Sequence, residues 1–149
     1  MAVPHPVVRL VSRLQARRYR ASDGRRGGTF RGRPVLLLTT TGRRTGRART
    51  TPLVFVREGD VYVVVGSNAG HDRQPRWRGN LLADPRATVQ VGPHTIPVTA
   101  RFAEGAEAER LWERLAEHSP GFRRYRAMTG RPFPIAVLSP RGERGPTSC

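Results

Sequence analysis

Apolar positions along this 149-residue chain fall into two kinds of pattern. Over residues 6–20, Val7, Leu10, Val11 and Leu14 recur at helical spacing, while Arg9, Arg13, Arg17 and Arg20 fall on other faces. No acid appears before Asp23, so this stretch predicts a basic amphipathic helix, packed on the edge of a domain or touching anionic lipid. A polar, glycine-rich connector covers residues 23–32. After it the period shortens. Apolar runs and alternation predict strands over 33–40, 50–57, 61–66, 87–91, 95–102 and 135–138. Glu58-Gly59-Asp60 and Gly92-Pro93 predict hairpin turns. A short helix is expected over 77–83, stopped by Asp84-Pro85. A longer one is expected over 104–118, with Leu111, Trp112 and Leu115 as its apolar stripe.

Strands without regular crossover helices exclude a doubly wound nucleotide-binding sheet and predict a mainly β (α+β) fold, a small barrel or sandwich. Three segments are expected: a helix and connector over 1–26, a barrel domain over 27–140, and a disordered tail over 141–149.

Charge complicates this picture. The formal net charge is +16, and all 27 basic residues are arginine. Such an excess points at first to nucleic acid. The arginines are scattered rather than gathered in one stripe, however, and the missing lysine fits a coding bias, so no specific nucleic-acid partner is expected. The single cysteine, Cys149, cannot form a disulfide within the chain, and no apolar run approaches the ~20 residues of a membrane span. A cytoplasmic protein is expected, with peripheral contact to the inner face of the membrane through its first helix. His5, His71, His94 and His118 are too dispersed to suggest a metal site.

The richest chemistry lies in Thr39-Thr40-Thr41-Gly42-Arg43-Arg44-Thr45-Gly46-Arg47-Ala48-Arg49-Thr50-Thr51-Pro52-Leu53, between two apolar runs. Glycines let backbone N–H groups turn inward, and arginine forks add charge-assisted donors, with no acid to neutralise them. Such a turn suits an anion carried on a larger ligand. It lacks the P-loop lysine and the spacing of a dinucleotide fingerprint. Downstream, Gly66-Ser67-Asn68-Ala69-Gly70 follows a strand, and Pro75-Arg76-Trp77-Arg78-Gly79-Asn80-Leu81 opens the short helix. Singly, these read as turn chemistry, a core tryptophan and a helix-capping amide.

Taken in order, the motifs resemble the deazaflavin (F420)-dependent nitroreductase family, over about residues 27–140. The resemblance implies a split β-barrel of the flavin-binding type and coenzyme F420, with FMN as the alternative cofactor. It implies that Arg43, Arg44, Thr45 and Arg49, with Thr50 beside them, hold the phosphate and the start of the glutamate tail. Thr51, Pro52, Leu53 and Val54 would line the deazaflavin, Val65, Gly66, Ser67 and Asn68 would contact the ring or its ribityl chain, and Arg76, Trp77, Arg78, Gly79 and Asn80 would complete the cofactor loop.

The hydride comes from the cofactor, so the protein needs no strong nucleophile, only orientation, exclusion of water and a proton donor. Phe122 stands where one branch of the family has a tyrosine and cannot donate; Tyr125 and Ser67 can. The expected activity is hydride transfer from F420H2 to an apolar, electron-poor small molecule: a quinone, a conjugated carbonyl or a nitro compound. The alternatives are a non-catalytic F420 carrier and a basic nucleic-acid-binding barrel. A monomer and a homodimer both fit.

Overall fold

The computed structural model describes residues 5–22, 24, 29–30, 33–66, 74–118, 123–124, 127 and 133–141. The elements run α1 (His5–Ser22), β1 (Thr29–Phe30), β2 (Arg33–Thr41), β3 (Ala48–Glu58), β4 (Val61–Val65), α2 (Arg76–Ala83), β5 (Arg86–Val91), β6 (His94–Phe102), α3 (Gly105–His118) and β7 (Ile135–Pro140). All strand pairs are antiparallel, in the order β1-β2-β3-β4-β7-β6-β5. A further pairing of β2 with β5, Leu38 opposite Val89, closes β2 to β7 into a split β-barrel.

The apolar runs are continuous because both faces of their strands are covered. Leu36 and Leu38 of β2 point into the barrel with Val64, Val89, Val98 and Leu138. Their neighbours Val35 and Leu37 point outward, under Ala16 and Tyr19 of α1. On the opposite wall, Val63, Val65, Ile135 and Val137 point outward against Leu111, Trp112 and Leu115 of α3. α2 inserts Trp77 and Leu81 into the barrel core. Asp84 follows α2 and accepts from the Arg86 backbone N–H at 3.1 Å and from its guanidinium. Gly59 and Gly92 take the positive φ that the two hairpin turns require.

One expectation needs correction. Within the stretch read as a polar connector, Thr29–Phe30 forms a short strand against β2, with Thr29 opposite Pro34 and Phe30 opposite Arg33. Composition concealed it, because two residues carry no periodicity. α1 packs on the edge of the barrel, one of the two placements its pattern predicts. Among its described side chains Ala16 and Tyr19 dock, while Leu14 is 48% exposed. At about 100° per residue, Leu14 lies roughly 140–160° round the helix from both.

Tyr19 also latches α1 at its C-terminal end. Its hydroxyl donates to the Gln90 carbonyl at 3.1 Å and accepts from the Gly92 N–H at 2.7 Å. Burial pushes this phenol above its ordinary pKa, against the opposing pull of the Gly92 bond.

Candidate functional site

The β2–β3 pairing ends at Thr41 opposite Ala48, and the basic turn caps it. Gly42 N–H donates to the Arg47 carbonyl and Gly46 N–H to the Gly42 carbonyl, each at 2.8 Å. Arg47 N–H donates to Thr45 Oγ1 at 3.2 Å, and Gly46 adopts a φ of 72°. These bonds hold the backbone in a tight coil and leave Arg43, Arg44, Thr45, Arg47 and Arg49 exposed around it. Among the described residues, no carboxylate pairs with any of these arginines.

The turn is held from beneath. Arg43 N–H donates to Asn80 Oδ1 at 3.1 Å, and Asn80 Nδ2–H donates to Thr40 Oγ1 at 3.0 Å. Asn80 is 5% exposed and Thr40 2%, so this bridge between α2 and β2 is out of water and costly to break. The Arg43 guanidinium lies over Gly79, where a Cβ would sit 2.1 Å from Nη1, and it donates to the Arg76 carbonyl at 3.4 Å. The structure thus joins the turn to α2, as the two motifs imply. Asn80 acts through the turn, since both ends of its amide are engaged. Trp77 is 4% exposed and stacks on Phe102 at 6.4 Å and 9°, so its ring supports the core and offers no free face.

Strand alternation divides the next segment. Thr50, Pro52 and Val54 share the outward side of β3 with Thr39, Leu37 and Val35 of β2, and Val54 packs beside α1. Thr51 and Leu53 share the opposite side, where Leu53 packs on the barrel interior. Val65 is buried under α3. Gly66 donates its N–H to the Pro134 carbonyl at 2.8 Å, and a Cβ there would meet Pro134 and Pro75 at 2.7 and 2.8 Å. Close contact with Pro75, at the start of α2, joins the end of β4 to the same neighbourhood. Arg76 is exposed, and Arg78 and Gly79 are half-buried. Ser67, Asn68, Phe122 and Tyr125 lie outside the described residues.

Beside α2 opens a cavity of about 290 Å³, lined by Arg78, Phe102, Trp112, Phe133, Pro134 and Ile135 among others. It is largely aromatic and aliphatic, with the Arg78 guanidinium and Glu109 in its wall. The basic turn and the recess thus both border α2, one where Arg43 lies over Gly79 and the other at Arg78.

One polar contact was not singled out in the sequence. The Arg20 guanidinium of α1 donates to Thr50 Oγ1, whose hydroxyl in turn lies 2.8 Å from Thr39 Oγ1. The helical spacing of Arg13, Arg17 and Arg20 was visible, but nothing in the sequence told where α1 docks.

Comparison with known proteins supplies the family. A family profile described as F420H(2)-dependent quinone reductase matches residues 11–140. An F420H(2)-dependent quinone reductase of Mycobacterium tuberculosis is 39% identical over 133 residues, covering 87% of this chain and 89% of the relative. A solved F420-H2 dependent reductase, FDR-A, shares 37% identity with a TM-score of 0.66, over 72% of this chain and 95% of its own. A solved domain-swapped dimer shares 35% identity with a TM-score of 0.68, over 85% of this chain and 96% of its own. By profile, sequence and barrel alike, the chain belongs to the F420H(2)-dependent quinone reductase family.

Proposed function

We propose that this protein carries a hydride from F420H2 to an apolar quinone held beside α2. The chain is an oxidoreductase of an F420-dependent family, and F420 is its cofactor. The observation that carries the reading is the acid-free arginine turn, fixed by the buried Asn80 amide next to an apolar recess. Arg43, Arg44, Thr45 and Arg49 hold the phosphate, and Arg76, Arg78 and Gly79 close the site from α2. The end of β4 at Gly66, which meets Pro134 of the recess wall, receives the ring system. F420H2, when bound, supplies the hydride.

The protein's own residues then have two tasks. The aromatic lining of the recess excludes water and orients the acceptor, and Arg78 stabilises the negative charge that a quinone oxygen gains with the hydride. A proton must follow to complete the hydroquinone. Tyr125 delivers it, with Ser67 as the alternative donor. Conjugated carbonyl and nitro compounds react where they fit the same recess. The exposed Leu14 among the arginines of α1 supports contact with a membrane surface, where lipid quinones reside; among the described residues, no helix is long and apolar enough to cross one.

The test is rapid mixing of the protein–F420H2 complex with a short-chain quinone. Saturable return of oxidised F420 is expected, and a rate no faster than without protein would sink the reading. Tyr125→Phe should lower kcat by ~10²–10⁴-fold with F420 affinity intact. Wild-type kcat in that variant moves the proton to Ser67 or water.

A further inference from the structure

We propose that Glu109 is a specificity-determining residue of the recess beside α2: its carboxylate turns away anionic aromatics and leaves the recess to uncharged quinones. The inference rests on the recess as the acceptor site and adds to it a choice by charge.

The chain carries a formal net charge of +16, so its field draws small anions toward it. The recess would share that bias. Arg78 stands half-buried in its wall, among Phe102, Trp112, Phe133 and Ile135, where water screens a charge poorly. A guanidinium so placed takes an aromatic carboxylate or sulfonate readily. Glu109 offsets it. Among the described residues of the lining, it is the one acid beside that one base. α3 brings it there. Ala108 and Trp112 stand one turn apart on the face packed against the barrel, and Glu109 lies roughly 60° from Trp112 round the helix. Trp112 is buried and Glu109 exposed, so the carboxylate sits at the rim with the indole behind it. On the same helix Glu107 pairs with Arg101 and Glu113 with Arg123. No ion pair joins Glu109 to Arg78, or ties either of them to another described residue. Both charges are therefore left to whatever enters. An uncharged quinone takes the Arg78 donors at one oxygen and passes Glu109 without repulsion. A ring with its own negative charge meets the carboxylate first, which cancels its gain at Arg78.

The experiment measures kcat/KM with F420H2 for an uncharged naphthoquinone and for the same ring carrying a sulfonate, in wild type and in charge variants. Comparing the anionic-to-neutral ratio between proteins cancels the difference in redox potential between the two rings. The ratio should rise about threefold to fivefold in Glu109→Gln and about tenfold in Glu109→Lys, through KM of the anion, on the scale of exposed charge pairs. The charge-keeping Glu109→Asp should stay within about twofold of wild type. Added salt should narrow these differences. Glu117 is also exposed, and Glu117→Gln makes the same change in net charge about 12 Å further along α3. It should leave the ratio unchanged. A ratio flat across wild type, Glu109→Gln and Glu109→Lys, with the neutral quinone still reduced, overturns the selection by Glu109 alone. An equal rise in Glu117→Gln does the same, since it assigns the discrimination to total charge, and so does a rise that falls on kcat instead of KM. If wild type reduces neither quinone, the acceptor reading fails, and the selection with it.

Discussion

A methyl group on Gly79 would lie 2.1 Å from Arg43 Nη1, so the guanidinium can rest on α2 only while residue 79 has no side chain. The obstruction is the tip of a flexible arginine, which can swing away. Gly79→Ala should therefore leave the fold intact, and its gain in helix propensity would add up to about 1 kcal/mol of stability. Its effect falls on the ligand. Arg43→Ala should weaken F420 binding by about 1–3 kcal/mol, the scale of a charge-assisted hydrogen bond. Gly79→Ala should lose part of the same amount, and the double variant little more than Arg43→Ala alone. Calorimetry checks this; fully additive losses would separate Gly79 from the arginine. At this scale the sequence is legible where a residue's own chemistry is its role. Arg43 and Arg44 stand out because glycines surround them and no acid does. Asn80 did not declare its role, because its partners Arg43 and Thr40 lie 37 and 40 positions away. Only a fold that brings α2 under the turn makes its amide an anchor. Trp77 shows the reverse: its flat face is visible in the sequence, but Phe102 already covers it.

Among the elements, the strands were legible nearly end to end, since alternation and turn glycines are local signals. α1 was legible as a helix on the edge of the domain. Periodicity does not say which residues dock, and among the described side chains an alanine and a tyrosine do. The Tyr19 latch makes that docking testable. Tyr19→Phe keeps the ring but strips the Gly92 N–H and the Gln90 carbonyl of their partner, at a cost of about 1–3 kcal/mol. The latch also responds to pH. The folded-state pKa is raised, so its contribution is complete below the unfolded value of about 10 and is lost as pH rises through the folded value. Hydrogen exchange in α1 should therefore accelerate at strongly alkaline pH in wild type. In Tyr19→Phe it should be faster already at neutral pH and lack the alkaline step. Identical alkaline profiles would show that the phenol is not the latch.

For the whole molecule, the arrangement of charge matters more than its total. Several acids of α3 and the β3–β4 hairpin are committed to local pairs, Glu58 with Arg110 and Arg114, Glu107 with Arg101 and Glu113 with Arg123. The arginines of α1 and the basic turn have no such partners among the described residues, so positive charge is concentrated on the side where α1 meets β3. With Leu14 exposed, flotation with anionic vesicles should carry the protein up, Leu14→Glu should reduce that fraction severalfold, and F420 affinity should be unchanged. Equal flotation of both proteins would rule out Leu14 as the contact. The closure of the barrel has a consequence in time. β2 must find β5, across the whole β3–β4 hairpin and α2, before the wall that receives α1 is complete, and the carbonyl and N–H that Tyr19 needs belong to Gln90 and Gly92. Pairings so distant in sequence form late. As the chain leaves the ribosome, its first helix therefore waits for its receptor to be made. Arg20 reaches Thr50 only when that helix docks, so the contact between α1 and the strand that follows the basic turn forms after the barrel around it has closed.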